Sequence, residues 1–340
     1  MSSPQAEPID VVVTWVDGNN REWLERRAAA LGQVPPASAA DENEQRYRDW
    51  GLFQFWFRAL ETNCPWVNKV FLVTAGHVPA WLDLDHPKLV VVDQDSIVPE
   101  AHQPTFNSQA VEANFHRIPE LSERFIYFND DFYVGAPLSP EFFFPGGLPY
   151  GVGIFDAMSM NDAHAHAMLN ASALLNKHFD KRTVLRKNLS KWFTLRYGAE
   201  IYRNIALFPW KQLLPVIDPH LPTPILKSSM VEAFAAAKSE LADTSASAFR
   251  AYENIAPIYL VNMWQLLTGK FEPRNRHKIG RYLGLGIDPV DEIVQVIEDA
   301  SIPLFCLNDV AVENTEELAR ATYAAFTRRF PARSSFERAD

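Results

Sequence analysis

Ile9-Asp10-Val11-Val12-Val13-Thr14-Trp15, followed by Val16-Asp17-Gly18-Asn19-Asn20, is the stretch that decides the fold. The first seven residues are mostly apolar and β-branched, a strand composition, and Asp-Gly-Asn-Asn is a turn signal. A strand this early, with polar side chains delivered at its carboxyl end, is how open α/β sheets begin a ligand crevice. Working outward, Arg21–Leu31 reads as a helix closed by Gly32. Residues 33–44, rich in Pro, Ala and acids, read as a loop, and about Asp49 to Thr62 as a second helix. Val67–Thr74 and Pro87–Asp93 are further strands, and Asn107 or Ser108 caps a helix running to about Arg117. Arg124–Asn129 is a fourth strand that stops at Asp130-Asp131. Strands and helices alternating at this spacing give an α/β fold: a mostly parallel sheet with helices on both faces.

From about residue 160 the pattern turns helical and irregular. Val231–Leu241, Asn254–Leu267 and Pro289–Asp299 are expected helices, Leu304–Leu307 is a short apolar run ending at Asn308-Asp309, and Thr315–Arg329 is a closing helix. His164 and His166 alternate as on a strand and read as structural, since nothing nearby completes a zinc site. The organisation is an α/β core over residues 1–150 and a mainly helical part over residues 151–340 that packs onto it.

The 340 residues suffice for a real core, and 47% hydrophobic content excludes disorder for the bulk of the chain. The 32 Lys and Arg against 42 Asp and Glu leave a net charge of -10. That balance argues against wrapping nucleic acid or lying on anionic lipid, both of which need a basic face. It leaves room for an anionic substrate held by a few local cations. Only Cys64 and Cys306 occur, so no disulfide framework exists. The opening MSSPQAEPIDVVV lacks a basic leader, so the expected location is cytoplasmic. The 9 Trp, 10 Tyr and 23 Phe are a surplus of rings of the kind that build sugar or base platforms.

The sharpest chemical feature is Asn129-Asp130-Asp131. Two adjacent carboxylates at the end of a buried strand repel unless something positive compensates, and a divalent cation is the usual compensation. The bland alternative is a solvated turn. Asp17 sits where the first strand delivers side chains to the crevice, and Asp-Gly equally closes turns. Ser108, Glu112 and His116 are spaced by four, so on one helix they share a face; the alternative is an exposed Glu112–His116 pair. His220, bracketed by prolines in Asp218-Pro219-His220-Leu221-Pro222, has the ordinary pKa of a general base. Arg250 and Lys227 are cations available to phosphate oxygens.

With these residues assembled, the chain resembles the Stealth family, which includes bacterial capsular polysaccharide phosphotransferases. It is similar also to the catalytic part of the animal N-acetylglucosamine-1-phosphotransferase that tags lysosomal enzymes. Four blocks carry the likeness in order: Ile9–Gly18; Arg48-Asp49 through Glu61, Pro104–Ser108, Glu112 and His116–Pro119 to Phe125–Asp131; a looser block around His220 and Phe249-Arg250; and Leu307–Asp309 with Phe330-Pro331 and Ser334–Glu337. The chain departs where members are expected to read Glu-Leu-Arg-Tyr, having Leu52-Phe53-Gln54-Phe55.

The resemblance implies a Rossmann-like sheet of the glycosyltransferase-A kind and transfer of a sugar-1-phosphate from a nucleotide sugar, a UDP-sugar first of all, to a glycan hydroxyl, with UMP released. It implies Mg²⁺ or Mn²⁺ held by Asp130, Asp131 and Asp309, with Arg250 and Arg117 supplying the remaining positive charge. Asp17, Thr14, Trp15 and Gly18 would bind the nucleotide sugar. Asn107, Ser108 and Glu112, with His116 and Asn254, would hold its hydroxyls, and His220 would take the acceptor proton. Implied partners are a nucleotide-sugar donor and a glycan acceptor, with peripheral contact to a capsule-assembly complex at the inner membrane and room for an oligomer; nucleic acid is excluded. The competing readings are a metal-dependent glycosyltransferase releasing UDP and an inactive glycan-binding module.

Overall fold

Five strands assemble into one sheet because most residues in them are apolar and both faces are covered. A computed structural model describes residues 7–32, 50–160, 162–310 and 315–339. Its strands are β1 (Ile9–Trp15), β2 (Val70–Thr74), β3 (Leu89–Asp93), β4 (Arg124–Asn129), β5 (Phe132–Val134), β6 (Tyr150–Gly151), β7 (Thr223–Leu226), β8 (Glu272–Pro273), β9 (Gly280–Leu285) and β10 (Leu304–Asp309). The main sheet has the order β3-β2-β1-β4-β7, parallel except for β7. Chain order runs outward from β1 in one direction and resumes on its other side at β4, so the switch point lies between the carboxyl ends of β1 and β4.

Side-chain alternation divides the core. Ile126 and Phe128 of β4 join the cluster containing Trp15, Phe53, Trp56 and Phe326. Phe125 and Tyr127 join the cluster formed with helices Ala163–His178, Lys227–Ala236 and Pro257–Thr268. The acid within β1 is spent at the far end of the sheet: Asp10 accepts from Asn68 Nδ2 at 2.8 Å, Lys69 N at 3.2 Å and Ser122 N at 2.8 Å. Many of the surplus rings lie here too, Trp56, Trp192 and Phe155 among the largest fully buried side chains.

The later half is not a separate layer. It supplies β7 to the edge of the main sheet, and β9 and β10 join β5 in a second, three-stranded sheet of order β5-β10-β9. Several expected boundaries move for identifiable reasons. The second strand begins at Val70 rather than Val67, whose N–H closes a turn onto Cys64. The helix expected from Asn254 starts at Pro257, a residue pre-set for the first helical position. Val231–Leu241 is two helices, Lys227–Ala236 and Lys238–Ala246, parted at Ala237. His164 and His166 lie on helix Ala163–His178, not a strand, its start capped by Asp162. The second helix occupies Phe53–Asn63. The expected loop at residues 33–44, its start at Asp49, and Arg48 lie outside the described residues.

Candidate active site

The acids converge because the two sheets share a junction. β4 ends at Asn129 and β5 begins at Phe132, leaving only Asp130-Asp131 between them. β5 pairs antiparallel with β10, and Leu307 N donates to Asp131 O at 3.0 Å, which brings Asp309 at the end of β10 to the same place. Thr14 at the end of β1 stands in register with Asn129. These ends open into a cleft of about 1410 Å³. That exceeds the roughly 300–1,000 Å³ usual for one small ligand, leaving space for two reactants.

At the acidic end, burial and the neighbouring Asp130 and Asp309 push the Asp131 carboxyl up to about 8, against a hydrogen bond from Cys306 Sγ to Oδ2 at 3.6 Å. Asp131 Oδ1 is buried and accepts no hydrogen bond. Trp50 Nε1 donates to Asp309 Oδ2 at 3.0 Å. A buried carboxylate oxygen without a donor, raised in pKa by two other acids, fits a hard divalent cation, and oxygen ligands suit Mg²⁺.

Nitrogen groups stand beside the acids, a ring nitrogen of His220 lying within 4.8 Å of an Asp131 carboxylate oxygen and of Cys306 Sγ. His220 takes a left-handed backbone (φ 49°), with its N–H donating to Asp218 Oδ1 at 3.1 Å. Its ring stands edge-on to Phe132 (5.1 Å), Tyr282 (5.7 Å) and His164 (6.0 Å). Burial lowers its pKa; Arg250 adds to this and Asp218 opposes it. The imidazole is therefore neutral, the form that accepts a proton. His164 is pushed down to about 4 by burial first, then by Arg250 and His220.

Arg250 donates to Ser108 Oγ at 2.8 Å. Its loop is held from behind: Asn107 Nδ2 reaches Ser247 O, Phe249 O and Asn254 Oδ1, Asn254 Nδ2 donates to Ser247 Oγ, and Phe249 stacks on Phe106. Asn107 also caps helix Ser108–Glu112 through Gln109 N. Glu112 is pushed up to about 7 by burial, against Arg250, Tyr127 and Ser108. The Tyr127 hydroxyl lies 3.2 Å from Glu112 Oε1 and 2.6 Å from Asn129 Oδ1. One hydroxyl proton serves one acceptor, so a protonated Glu112 completes the chain Glu112–Tyr127–Asn129.

Of the residues expected at the site, Thr14, Trp15, Asn107, Ser108 and Glu112 line this cleft, as do Asp130, Asp131, His220, Arg250 and Asp309. Five do not. Asp17 closes a turn, Oδ1 accepting from Asn19 N at 2.9 Å while its own N–H donates to His77 Nε2, and Gly18 lies in that turn. Helix Ser108–Glu112 ends before His116, which is exposed and meets the Phe234 ring, so the polar stripe at intervals of four does not form. Arg117 donates to Ile97 O. Asn254 acts behind Arg250, as described. His164, Asp218, Tyr127 and Tyr282 line the cleft and were not among the expected site residues. Only Asp218 carried a local signal, two positions before His220. At the departure from the family pattern, Leu52 and Phe53 line the cleft, Phe53 stacking on Trp15 at 5.5 Å, while Gln54 turns away to Tyr323.

The sequence matches the models of Stealth protein conserved region 1 over residues 7–35 and conserved region 2 over residues 46–148. It is 35% identical to the capsular polysaccharide phosphotransferase WcwK of Streptococcus pneumoniae, over 98% of both chains. It is 35% identical to the exopolysaccharide phosphotransferase cps2G of Lactiplantibacillus plantarum, over 97% of this chain and 96% of that one. The receptor polysaccharide phosphotransferase WefC of Streptococcus gordonii is 34% identical, over 97% and 99%. Among solved structures, apo mouse xyloside xylosyltransferase 1 is a distant neighbour, with TM-score 0.36, 10% identity and coverage of 88% of this chain and 98% of that one. The near-complete relatives and the two conserved regions establish that the chain belongs to the Stealth family.

Proposed function

We propose that the chain transfers a sugar-1-phosphate from a nucleotide sugar, taken as a UDP-sugar, to a hydroxyl of a polysaccharide acceptor. The observation that carries this reading is the sharing of one cleft by a neutral imidazole at His220, a guanidinium at Arg250 and the acidic junction Asp130-Asp131-Asp309. A diphosphate needs positive charge at its oxygens, and the acceptor hydroxyl needs a proton acceptor. The polysaccharide phosphotransferases named above support the same reaction class.

The acceptor oxygen attacks the phosphorus that bears the sugar. A new P–O bond forms, the bond from that phosphorus to the nucleotide phosphate breaks, and UMP departs with the electron pair. The sugar C1–O bond stays intact, so the product is a phosphodiester. His220 receives the hydroxyl proton, and Asp218 stabilises the resulting imidazolium. Arg250, steadied by Ser108, faces the charge that builds on the phosphoryl oxygens. Asp130, Asp131 and Asp309 would hold Mg²⁺, which when bound supplies charge neutralisation across the diphosphate.

Incubation of the full chain with Mg²⁺, a panel of nucleotide sugars and oligosaccharide acceptors tests this by chromatography of the released nucleotide. UMP with a phosphodiester product is expected. Release of UDP instead identifies glycosyl transfer and overturns the proposal. His220→Ala is expected to lower turnover by about 10²–10⁴-fold, the usual contribution of a positioned base. A loss of less than about tenfold removes His220 from that role.

A further inference from the structure

Residues 180–211 differ in character from the rest of the chain. They hold eight Lys or Arg against Asp180 and Glu200, in a protein of net charge -10. Both acids are already engaged: Asp180 caps helix Lys181–Lys187 through Thr183, and Glu200 pairs with Arg276 at 2.7 Å. Large apolar side chains point outward from the same stretch. Leu195 is 87% exposed, Trp210 61%, Tyr202 and Ile205 each 60%, and Phe208 52%. Tyr202 and Ile205 share a face of helix Ile201–Leu207, and Phe208 and Trp210 follow directly.

The stretch closes on itself. Lys181 Nζ donates to Leu207 O and to Trp210 O, both at 2.8 Å, fastening the start of helix Lys181–Lys187 to the Phe208–Trp210 turn. Arg182, Arg186, Lys187 and Lys211 are exposed and make no ion pair within 4.0 Å among the described residues, although Arg182 and Arg186 stand near enough to Asp180 to help its cap hydrogen bonds hold that carboxyl below the usual range. Arg203, by contrast, is spent on Asp156 at 2.7 Å, and Asp156 belongs to the cleft wall. No helix among the described residues is long and apolar enough to cross a membrane.

We propose that this face docks on the surface of an anionic lipid bilayer. Aromatic and aliphatic side chains standing out beside unpaired Lys and Arg are the composition of surfaces that lie in the headgroup region, rings at the interface and cations on anionic lipid. Charge complementarity selects this occupant: the charge on the face is predominantly positive, eight Lys and Arg against two acids, which suits a laterally uniform anionic surface. A second copy of the chain meeting it through the same face would present the same positive charge and be repelled.

Flotation of the full chain with vesicles tests the proposal. The wild-type chain is expected to float with phosphatidylcholine vesicles containing phosphatidylglycerol, less as salt is raised, and to remain behind with pure phosphatidylcholine. Phe208→Ser with Trp210→Ser, and separately Arg186→Glu with Lys187→Glu, are each expected to weaken partitioning by roughly tenfold or more. Thermal unfolding by circular dichroism checks that the variants fold; should the aromatic pair not fold, the charge-reversed pair, on an exposed helix surface, decides. Three results overturn the proposal: no flotation with anionic vesicles, flotation unchanged by folded variants, or equal flotation with uncharged vesicles. Sedimentation showing a dimer that the substitutions dissolve, without vesicle binding, overturns it in favour of self-association.

Discussion

Glu112 is 8% exposed and packed among Ser108, Tyr127 and the charge of Arg250. Burial dominates its environment, so its carboxyl ionises near 7 instead of 4.5. Between those two values the folded chain keeps a proton that the unfolded chain has released. Stability therefore falls as pH rises through that window, and the penalty is complete above it. Glu112→Gln mimics the protonated form at all pH. The variant is expected to gain on the wild type by about 3 kcal/mol between pH 4.5 and 7.5, read by urea unfolding at both ends. A constant difference would show that Glu112 ionises normally. At this scale the sequence reveals residues whose neighbours along the chain declare them: Asn129-Asp130-Asp131, and His220 between prolines. His164 was hidden because its spacing from His166 says nothing of the ring of His220, which the fold alone brings to 6.0 Å. Asp17 carries a local signal that fits both a site and a turn, and in this structure its carboxylate caps the turn through Asn19 N.

Among the elements, the carboxy-terminal tail shows what a run of polar residues in the family pattern can be for. Arg58 on helix Phe53–Asn63 forms a two-pronged pair with Glu337, Nε to Oε1 and Nη2 to Oε2, both at 2.7 Å. Their side chains are 12% and 3% exposed, and each is shifted toward its charged form by the other. Glu337 also accepts from Ser334 N, Glu61 accepts from Ser335 N, and Phe336 packs on Phe57. The tail is a clamp on that helix. Glu337→Ala strands a buried guanidinium and is expected to lower stability by about 3–5 kcal/mol, measured by urea denaturation. Replacing both partners, Arg58→Met with Glu337→Leu, is expected to recover much of the loss. A single-variant loss below about 1 kcal/mol would mean the pair behaves as a solvated one. The strands were legible because continuous apolar runs in a doubly covered sheet leave little alternative. Helix ends were less so: Ala237 carries no breaker signal, and only packing ends one helix there and begins another.

For the molecule as a whole, the average charge concealed a local one. A count of -10 speaks against a basic face only if charge is spread evenly, and residues 180–211 are the exception. The pairing of β5 with β10, 170 residues apart in sequence, was equally unreadable, because neither strand announces its partner; yet that pairing carries Asp309 to Asp131. A donor analogue bound in the cleft as proposed would contact both sheets at once. UDP with Mg²⁺ is therefore expected to raise the thermal midpoint, with about 2.7 kcal/mol of added stability at a hundredfold excess over its dissociation constant. Scanning calorimetry with and without UDP measures it, and an unmoved midpoint at high UDP would mean that the folded chain does not bind the nucleotide. The same geometry has a mechanical side. With two residues between β4 and β5, the acids lie at the joint where the chain passes from one sheet to the other. The reaction proposed above would sit at that joint, so looseness there is expected to reach the reaction before it reaches the fold.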